Sequence, residues 1–526
     1  MEYTPQIGAF VLEILSNGMY KEPFDALREY VQNSLDSIRD AEERGVISEH
    51  SGRIEVELEP EKRSLIVRDN GLGIPSSVAF QKLLDVGVST KSLGRHAGFR
   101  GIGRLAGIAY CDTLVFRTSY AGENKCSTLA MNCSEMRQAI RPDRKNTEAL
   151  QDILKKHSDY HVETCEASRH FFEVQMIGLS SAAEAFLNWQ AVDAYLSQVA
   201  PVGFDAQRFI YKPTIEEWLR AHGIQLPSVT VVVTAPNVHR EVYKPYRTYY
   251  KTIKAANRSG LDFHIEDVKF FPEDPKMGEV RFWCWYGVSP LFGQIDDPGA
   301  GFRIRQSNIA IGGPQLTSEL FQEASPSFGR FNAYYIGEIH IVDPAVVPNN
   351  RRDGFEDGCE AWAEIKKQLV GFFRNLGKEC YERSKSRNQP ETKLIAVASP
   401  VIADVKQRLA TGLVSKKEQA SLLRTVARTV DKVESALSNP DRNGPSQTIK
   451  DIAKELTELK TKLEANKLPS LRFRSDLDKK QRKLLSSVLE LVHDTLTSGQ
   501  KCAAHEQCYR AILSAVLKEY GDRESE

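Results

Sequence analysis

Three features are missing from this sequence of 526 residues: a net charge, paired cysteines and long apolar runs. Lysine plus arginine equals aspartate plus glutamate at 70 each, so no overall basic field indicates nucleic acid, although a local basic patch stays open. The nine cysteines form no CxxC pair, which predicts reduced thiols and no disulfide framework. No run of about 18 apolar residues occurs, and MEYTPQIGAF lacks a leader pattern. We therefore expect a cytoplasmic protein without a membrane segment.

The length predicts about three domains. Strands interleaved with helices, including a hairpin formed by RIEVELEP and RSLIVRDNG, predict an α+β fold built as a layered sandwich. We expect one domain over residues 1–200, a connecting segment over 201–225, a second α/β domain over 226–395 and a helical region over 396–526. Apolar residues in the last region recur every three or four positions, which fits either a helical hairpin within one chain or a dimerising bundle.

The stretch EYVQNSLDSIRD places three polar residues on one side of a predicted helix that runs from Pro23 to about Glu43. Glu29, Asn33 and Asp36 are spaced i, i+4 and i+7, so they fall within about 60° of arc. A polar stripe beside the apolar face of a helix is either a solvated surface or part of a site.

Two glycine-containing segments follow the helix. In SLIVRDNGLGIP, Asp69 ends a strand and precedes Gly71 and Gly73, an arrangement that lets backbone approach a flat ligand while the carboxylate accepts a hydrogen bond from an amino group. The alternative interpretation is an ordinary hairpin turn.

The second segment, GVSTKSLGRHAGFRGIGRLAG at residues 87–107, has six glycines and several cationic side chains. Backbone N–H groups followed by a helix from about Gly103 would make an anion cradle, and positive charge would be added by Lys91, Arg95, His96, Arg100 and Arg104. The segment is neither a Walker A loop nor a dinucleotide-binding fingerprint. A mobile surface loop is the alternative, and a lid without its ligand is such a loop.

The order ExxxNxxD, DxGxG and GxxGxG within about 75 residues resembles the Bergerat-fold (GHKL) ATPases, the group of gyrase B, the ninety-kilodalton heat-shock chaperones, histidine kinases and MutL. The resemblance covers about residues 1–200. It implies a Bergerat-type α/β sandwich that binds ATP and Mg²⁺ and hydrolyses ATP. It implies Glu29 as the general base, Asn33 as the magnesium ligand, Asp36 as a supporting contact and Asp69 as the adenine contact. It also places backbone and lid residues around ATP, with Gly71 and Gly73 at adenine and Lys91, Gly98, Arg100, Gly101 and Gly103 at the phosphates.

Two segments of the second domain resemble the transducer domain of the chaperone branch: FRIRQSNIAIGG and YYIGEIHIVDPAVVPNNRRDGFE. In that branch a loop after a strand directs a basic residue to the γ-phosphate. The resemblance implies Arg352 as the first choice for this residue and Arg351 as the second, because a guanidinium matches phosphate oxygens. A basic pair at the surface is the alternative interpretation.

The resemblance further implies a homodimer that is held by the C-terminal helices and closed by ATP-dependent contact of the N-terminal domains. Such a clamp would act on a protein partner in a chaperone-like or defence-type role. Two alternatives stay open: a DNA clamp of the MutL, MORC or topoisomerase type, favoured by the basic stretch LRFRSDLDKKQRK, and an ATP sensor that does not hydrolyse. Cys502, His505 and Cys508 could bind a metal or form a buried helix face.

Overall fold

The computed structural model describes residues 7–13, 22–88, 98, 101–141, 148–253, 261–276, 278–291, 293–387, 391–437, 446–465, 471, 473–497 and 503–521. The chain divides into two compact units, Met1–Gly377 and Lys378–Glu526. Among the described residues, no helix combines the length and apolar character needed to cross a membrane.

The α-helices are α1 (Val11–Glu13), α2 (Pro23–Glu43), α3 (Ser76–Leu84), α4 (Cys133–Ala139), α5 (Leu150–Lys156), α6 (Trp189–Val199), α7 (Lys212–Ala221), α8 (Pro314–Ala324), α9 (Glu360–Arg387), α10 (Glu391–Thr411), α11 (Lys416–Leu437), α12 (Gln447–Glu464), α13 (Lys479–Thr497) and α14 (Ala503–Tyr520). Among the described residues, 3₁₀ helices cover Pro60–Lys62, Gly103–Ala109, Ser181–Leu187 and Gly329–Tyr334.

The strands are β1 (Arg53–Glu59), β2 (Ser64–Asp69), β3 (Cys111–Ser119), β4 (Lys125–Asn132), β5 (Ser158–Thr164), β6 (Phe171–Leu179), β7 (Thr230–Ala235), β8 (Val238–Glu241), β9 (Tyr249–Lys251), β10 (Asp262–His264), β11 (Asp267–Phe271), β12 (Phe282–Val288), β13 (Gly301–Gln306), β14 (Ile309–Ile311) and β15 (Ile336–Ile341).

The first unit contains an eight-stranded sheet in the order β5-β4-β3-β6-β2-β1-β7-β8. The predicted hairpin is present, because β1 and β2 pair antiparallel with Ile54 opposite Asp69. Alternation explains the burial of β1, whose apolar Ile54, Val56 and Leu58 point into the core. Residues of the apolar face of α2, among them Leu27 and Val31, belong to the same core. Packing of the apolar face of α2 in this core sets the orientation of the helix and therefore the position of its polar face.

Strand β7 joins this sheet from beyond the predicted first domain, because it pairs parallel to β1 with Val233 opposite Val56. A separate five-stranded sheet has the order β11-β12-β15-β13-β14. Aromatic side chains fill its core and reach α9, where Phe373 packs 4.3 Å from Phe321 and 5.2 Å from Phe302, measured between ring centroids. The domain limits given from the sequence stay predictions.

The second unit is helical, and the apolar residues of α10, α11 and α12 form one core. Gln419, near the start of α11, donates to the carbonyl of Leu463, near the end of α12, at 2.7 Å, so these two helices run antiparallel. Their apolar residues, such as Val426 and Leu456, are buried within the chain. Helices α13 and α14 share a second, smaller core. The predicted α+β fold class with a helical C-terminal region is confirmed.

Candidate functional site

The polar stripe predicted on α2 lies at the edge of the core. Glu29 is 9% exposed, Asp36 is buried and Asn33 is half-buried, while Leu27 and Val31 pack in the core beneath the helix. Three polar side chains on one helical face thus stand at the boundary between core and surface. A carboxylate in this position is desolvated enough to interact strongly with a ligand.

Two glycines approach this stripe so closely that a side chain at either would meet it. A Cβ added at Gly103 would lie 2.1 Å from Glu29 Oε2, and one added at Gly98 would lie 3.0 Å from Asn33 Oδ1. The Gly98 N–H donates to Asp36 Oδ2 at 3.0 Å. The 3₁₀ helix that begins at Gly103 is tied to α2, because the Tyr30 hydroxyl accepts from the Gly107 N–H at 2.9 Å. The structure therefore brings Glu29, Asn33, Asp36, Gly98 and Gly103 together.

Gly101 has a φ of 72°, and its carbonyl accepts from the Gly87 N–H at 3.4 Å and from the Arg104 guanidinium at 2.8 Å. Arg104 also donates through Nε to the Leu83 carbonyl at 3.1 Å. Burial lowers the pKa of Arg104 to about 10. The sequence placed Arg104 among the charges around the glycine loop, but the structure uses it to hold backbone at the base of the loop. Lys91, Arg95, His96 and Arg100 lie outside the described residues.

Asp69 lies at the end of β2 with its carboxylate buried. Oδ1 accepts from the Gly71 N–H at 2.9 Å, whereas the buried Oδ2 accepts no hydrogen bond from the described part of the chain. Burial raises the pKa of Asp69 to about 7, and hydrogen bonds from the Gly71 N–H, the Ser34 and Ser37 side chains and the Phe172 backbone partly offset this rise. A buried acceptor without a donor is costly, which is the arrangement expected where a ligand supplies the missing donor.

The backbone after Asp69 is packed against its surroundings. A Cβ at Gly71 would lie 2.3 Å from Ser37 Oγ on α2, and one at Gly73 would lie 2.0 Å from the Ser119 carbonyl oxygen. Gly73 has a φ of 74°, which also favours glycine. The Leu72 N–H donates to the Ser37 carbonyl at 3.1 Å. The Asp69 turn and the polar stripe are therefore positioned by the same helix.

The residues present fit ATP and Mg²⁺. Asp69 Oδ2 offers a buried carboxylate oxygen to an amino group. Asn33 offers one hard amide oxygen, which suits Mg²⁺ because this ion takes few protein ligands alongside substrate phosphates. Among the described residues, no group of three or more histidine, cysteine or acidic side chains could hold a metal. Cys502 and the His505 side chain lie outside the described residues, and Cys508 is exposed.

A loop of the second α/β region reaches the stripe from far along the chain. Arg352 is buried, and its Nε lies 3.7 Å from Glu29 Oε1. Its backbone has a φ of 54° and is held by hydrogen bonds to the Asn349 carbonyl and from the Gly312 N–H. The Arg351 side chain is exposed, whereas the Arg352 guanidinium lies against Glu29.

Other residues of the site were not predicted. The Arg28 guanidinium donates to the Arg351 carbonyl at 2.8 Å across 323 residues of sequence. Gln32 is buried, and neither atom of its amide has a partner among the described residues. His170 Nδ1 lies 2.8 Å from the Gly71 carbonyl oxygen. Arg28 and Gln32 flank Glu29 at positions i−1 and i+3 of α2, and this adjacency was the only available signal.

Residues 20–160 match the family described as "Histidine kinase-, DNA gyrase B-, and HSP90-like ATPase". The matched segment contains α2, the Asp69 turn and the glycine segment, and the match supports a Bergerat (GHKL) fold here. The match also supports ATP binding and hydrolysis in general. The chain matches no curated protein.

Proposed function

We propose that the chain is a magnesium-dependent ATP hydrolase in which Glu29 is the general base. The observation that carries the proposal is the position of the Glu29 carboxylate, enclosed between the backbone at Gly103 and the guanidinium of Arg352. A buried carboxylate at the glycine segment is placed to orient and deprotonate an attacking water. Hydrolysis by water, and not phosphoryl transfer to a side chain, is the reaction that this arrangement supports.

The other residues divide the recognition of ATP. Asp69 would accept from the adenine amino group through Oδ2, with Gly71 and Gly73 beside the base. The backbone at Gly98, Gly101 and Gly103, together with Lys91 and Arg100, would face the phosphates, and Asp36 would hold the Gly98 backbone. Magnesium held by Asn33 would neutralise phosphate charge.

We further propose that Arg352 exchanges its partner during the cycle. In the described conformation its guanidinium pairs with the Glu29 carboxylate and keeps it engaged. Contact with the γ-phosphate would draw Arg352 away and release Glu29 for the water. Arg28 supports this loop from α2 through the Arg351 carbonyl, so nucleotide occupancy and the second α/β region would be coupled at this point.

For the whole chain we propose an ATP-driven clamp. Two copies would be joined by the helical region and brought together at their nucleotide domains by ATP, around a protein partner in a chaperone-like or defence-type role. The exposed Lys479, Lys480 and Lys483 favour duplex DNA as the second candidate. Binding to DNA would weaken steeply with salt, whereas protein capture would not follow the same slope.

The first test is phosphate release by the purified protein with magnesium-ATP, together with direct binding of ATP. We expect Glu29→Ala to lower the rate by about 100-fold or more while ATP still binds, since a general base contributes at least that factor. Glu43→Ala, at an exposed position of the same helix, is the matched control. If Glu29→Ala hydrolyses like wild type, the assignment of the base is wrong. If wild type binds ATP without releasing phosphate, the chain is a sensor.

The two neighbouring arginines supply a second test. Arg352→Ala should lower the rate at least about tenfold, because a buried guanidinium would be lost from the phosphates. Arg351→Ala removes an exposed side chain and keeps the carbonyl that Arg28 binds, so it should change the rate by less than about twofold. Equal losses in both variants would contradict the assignment of Arg352.

A further inference from the structure

Helix α13 has two apolar faces, and one of them is exposed. Leu489 is buried in the core shared with α14, with Leu485 and Val492 packed beside it. Leu484, Val488 and Leu491 are 66%, 48% and 67% exposed, and their spacing of four and three residues places them in one line along the helix. These three residues are called the α13 stripe below. Contiguous apolar side chains at the surface mark an interaction site more often than scattered ones do.

Charged residues beside the α13 stripe change sign along the helix. Lys480 and Lys483 lie in its N-terminal half, and Glu490 and Asp494 lie in its C-terminal half. At 100° per residue all four fall on the same side of the stripe. Asp494 also pairs with Lys417 at 2.6 Å, whereas Lys480, Lys483 and Glu490 are exposed. The helix therefore presents an apolar line with a basic and an acidic end along one flank.

We infer that the α13 stripe binds the same stripe of a second copy, with the two helices antiparallel around a two-fold axis close to Val488. Antiparallel pairing places Leu484 opposite Leu491 of the second copy. It also brings Lys483 next to Glu490, and Lys480 next to Asp494, on the same side of the pair. Parallel pairing would instead place the two charged flanks on opposite sides of the pair, so these contacts between opposite charges would be lost. A surface patch that is complementary to itself in this way is typical of an interface with two-fold symmetry.

Most apolar residues of α11 and α12 are buried in the chain's own core, whereas the α13 stripe is a line of exposed apolar side chains that a second copy can cover. Because three side chains per copy form a small interface, we expect a dimer that dissociates on dilution. The role of the dimer rests on the proposed clamp function, but the contact between the two stripes requires no nucleotide.

The test is sedimentation velocity of the full chain without nucleotide over a range of concentrations. Wild type should dimerise, and Leu491→Asp should raise the dissociation constant at least about tenfold, because the charge enters the apolar contact with Leu484 of the second copy. Val397→Asp is the matched control, since Val397 is also an exposed apolar residue of a helix in the second unit, 47% exposed, but lies outside the stripe. A monomeric wild type, or equal effects of the two variants, would overturn the inference.

A charge exchange tests the antiparallel register. Lys483→Glu and Glu490→Lys should each weaken self-association, because each leaves like charges adjacent across the two-fold axis. An equimolar mixture of the two variants, one of them labelled with ¹⁵N to separate their masses, should recover dimers, which native mass spectrometry would identify as mixed. Failure of the mixture to exceed the single variants would refute the register. A monomer that still hydrolyses ATP would refute only the stripe, and a dimer that does not hydrolyse would refute only the proposed function.

Discussion

Two buried polar clusters in the first unit differ in how completely their hydrogen bonds are satisfied. Around Glu338, Lys244 donates to both carboxylate oxygens at 2.8 and 2.9 Å, and Trp285 and Tyr246 each donate at 3.3 Å. Arg305 also donates to this carboxylate. At the candidate site, by contrast, Asp69 Oδ2 and the amide of Gln32 have no partner among the described residues. The first cluster is complete without a ligand, and the second is not.

This difference distinguishes a cluster that stabilises the fold from a site that can bind a ligand. Arg305 extends the complete cluster to the carbonyls of Gln198 and Ala200, so Glu338 joins the five-stranded sheet to the end of α6. Burial alone would raise the pKa of Glu338, but the charges of Arg305 and Lys244 outweigh it and hold the pKa well below its ordinary value. Asp69 has no such cation, and burial raises its pKa to about 7. A carboxylate kept ionised by its neighbours stabilises the fold, while one left incomplete is available to a ligand.

The largest effect should come from breaking the complete cluster. Glu338→Ala would leave Lys244 and Arg305 buried without their counter-charge, and we expect the free energy of unfolding to fall by about 3–5 kcal/mol. Urea unfolding measures this loss. Glu323→Ala removes a carboxylate from a half-exposed pair with Lys366 and should cost less than about 1 kcal/mol. Similar losses in the two variants would mean that the buried cluster contributes no more than a surface pair.

At the incomplete cluster, a change of one methyl group should affect hydrolysis more than stability. Gly103→Ala places a Cβ where Glu29 Oε2 lies, so the carboxylate must move, and a displacement of about 1 Å can lower the rate by roughly 100-fold. Phosphate release and thermal unfolding should be measured together. Gly203→Ala is the control, because a Cβ there meets nothing within 4 Å. Unchanged hydrolysis in Gly103→Ala would show that Glu29 is not held where the structure places it.

The sequence predicted the local parts of both regions and not their assembly. Helical periodicity located the stripe of Glu29, Asn33 and Asp36, because three residues on one helix need no distant partner. The contact of Arg28 with Arg351 joins residues 323 positions apart, and no periodicity encodes such a pairing. The parallel pairing of β7 with β1 was missed for the same reason. Arg104 could contact a ligand or donate to backbone carbonyls, and which of these occurs depends on its burial in the folded chain. The local sequence does not specify that burial.

The pH dependence of stability should distinguish the two carboxylates. The pKa of Asp69 is about 7 in the folded chain and 3.8 as its ordinary value, so the folded state binds the extra proton between these pH values. The contribution of this proton to the free energy of unfolding is therefore fully present below about pH 4. It is lost as the pH rises to about 7, by up to about 1.4 kcal/mol per pH unit. Asp69→Asn should remove this loss, so its stability relative to wild type should increase from pH 5 to pH 7. Parallel curves from urea unfolding would contradict the raised pKa.

The smallest effect should come from Gln32, and its sign matters more than its size. Replacing a buried amide that has no partner by an apolar side chain of similar length removes a desolvation penalty, so Gln32→Met should keep or raise the unfolding free energy, by up to about 1 kcal/mol. Asn332→Leu is the contrasting variant, because the Asn332 amide accepts from the Phe302 N–H at 3.0 Å and donates to the Pro314 carbonyl at 2.8 Å. It should lose about 1–3 kcal/mol. If Gln32→Met is destabilised as much as Asn332→Leu, the Gln32 amide has a partner in the folded chain and the contrast between the two clusters does not extend to this residue.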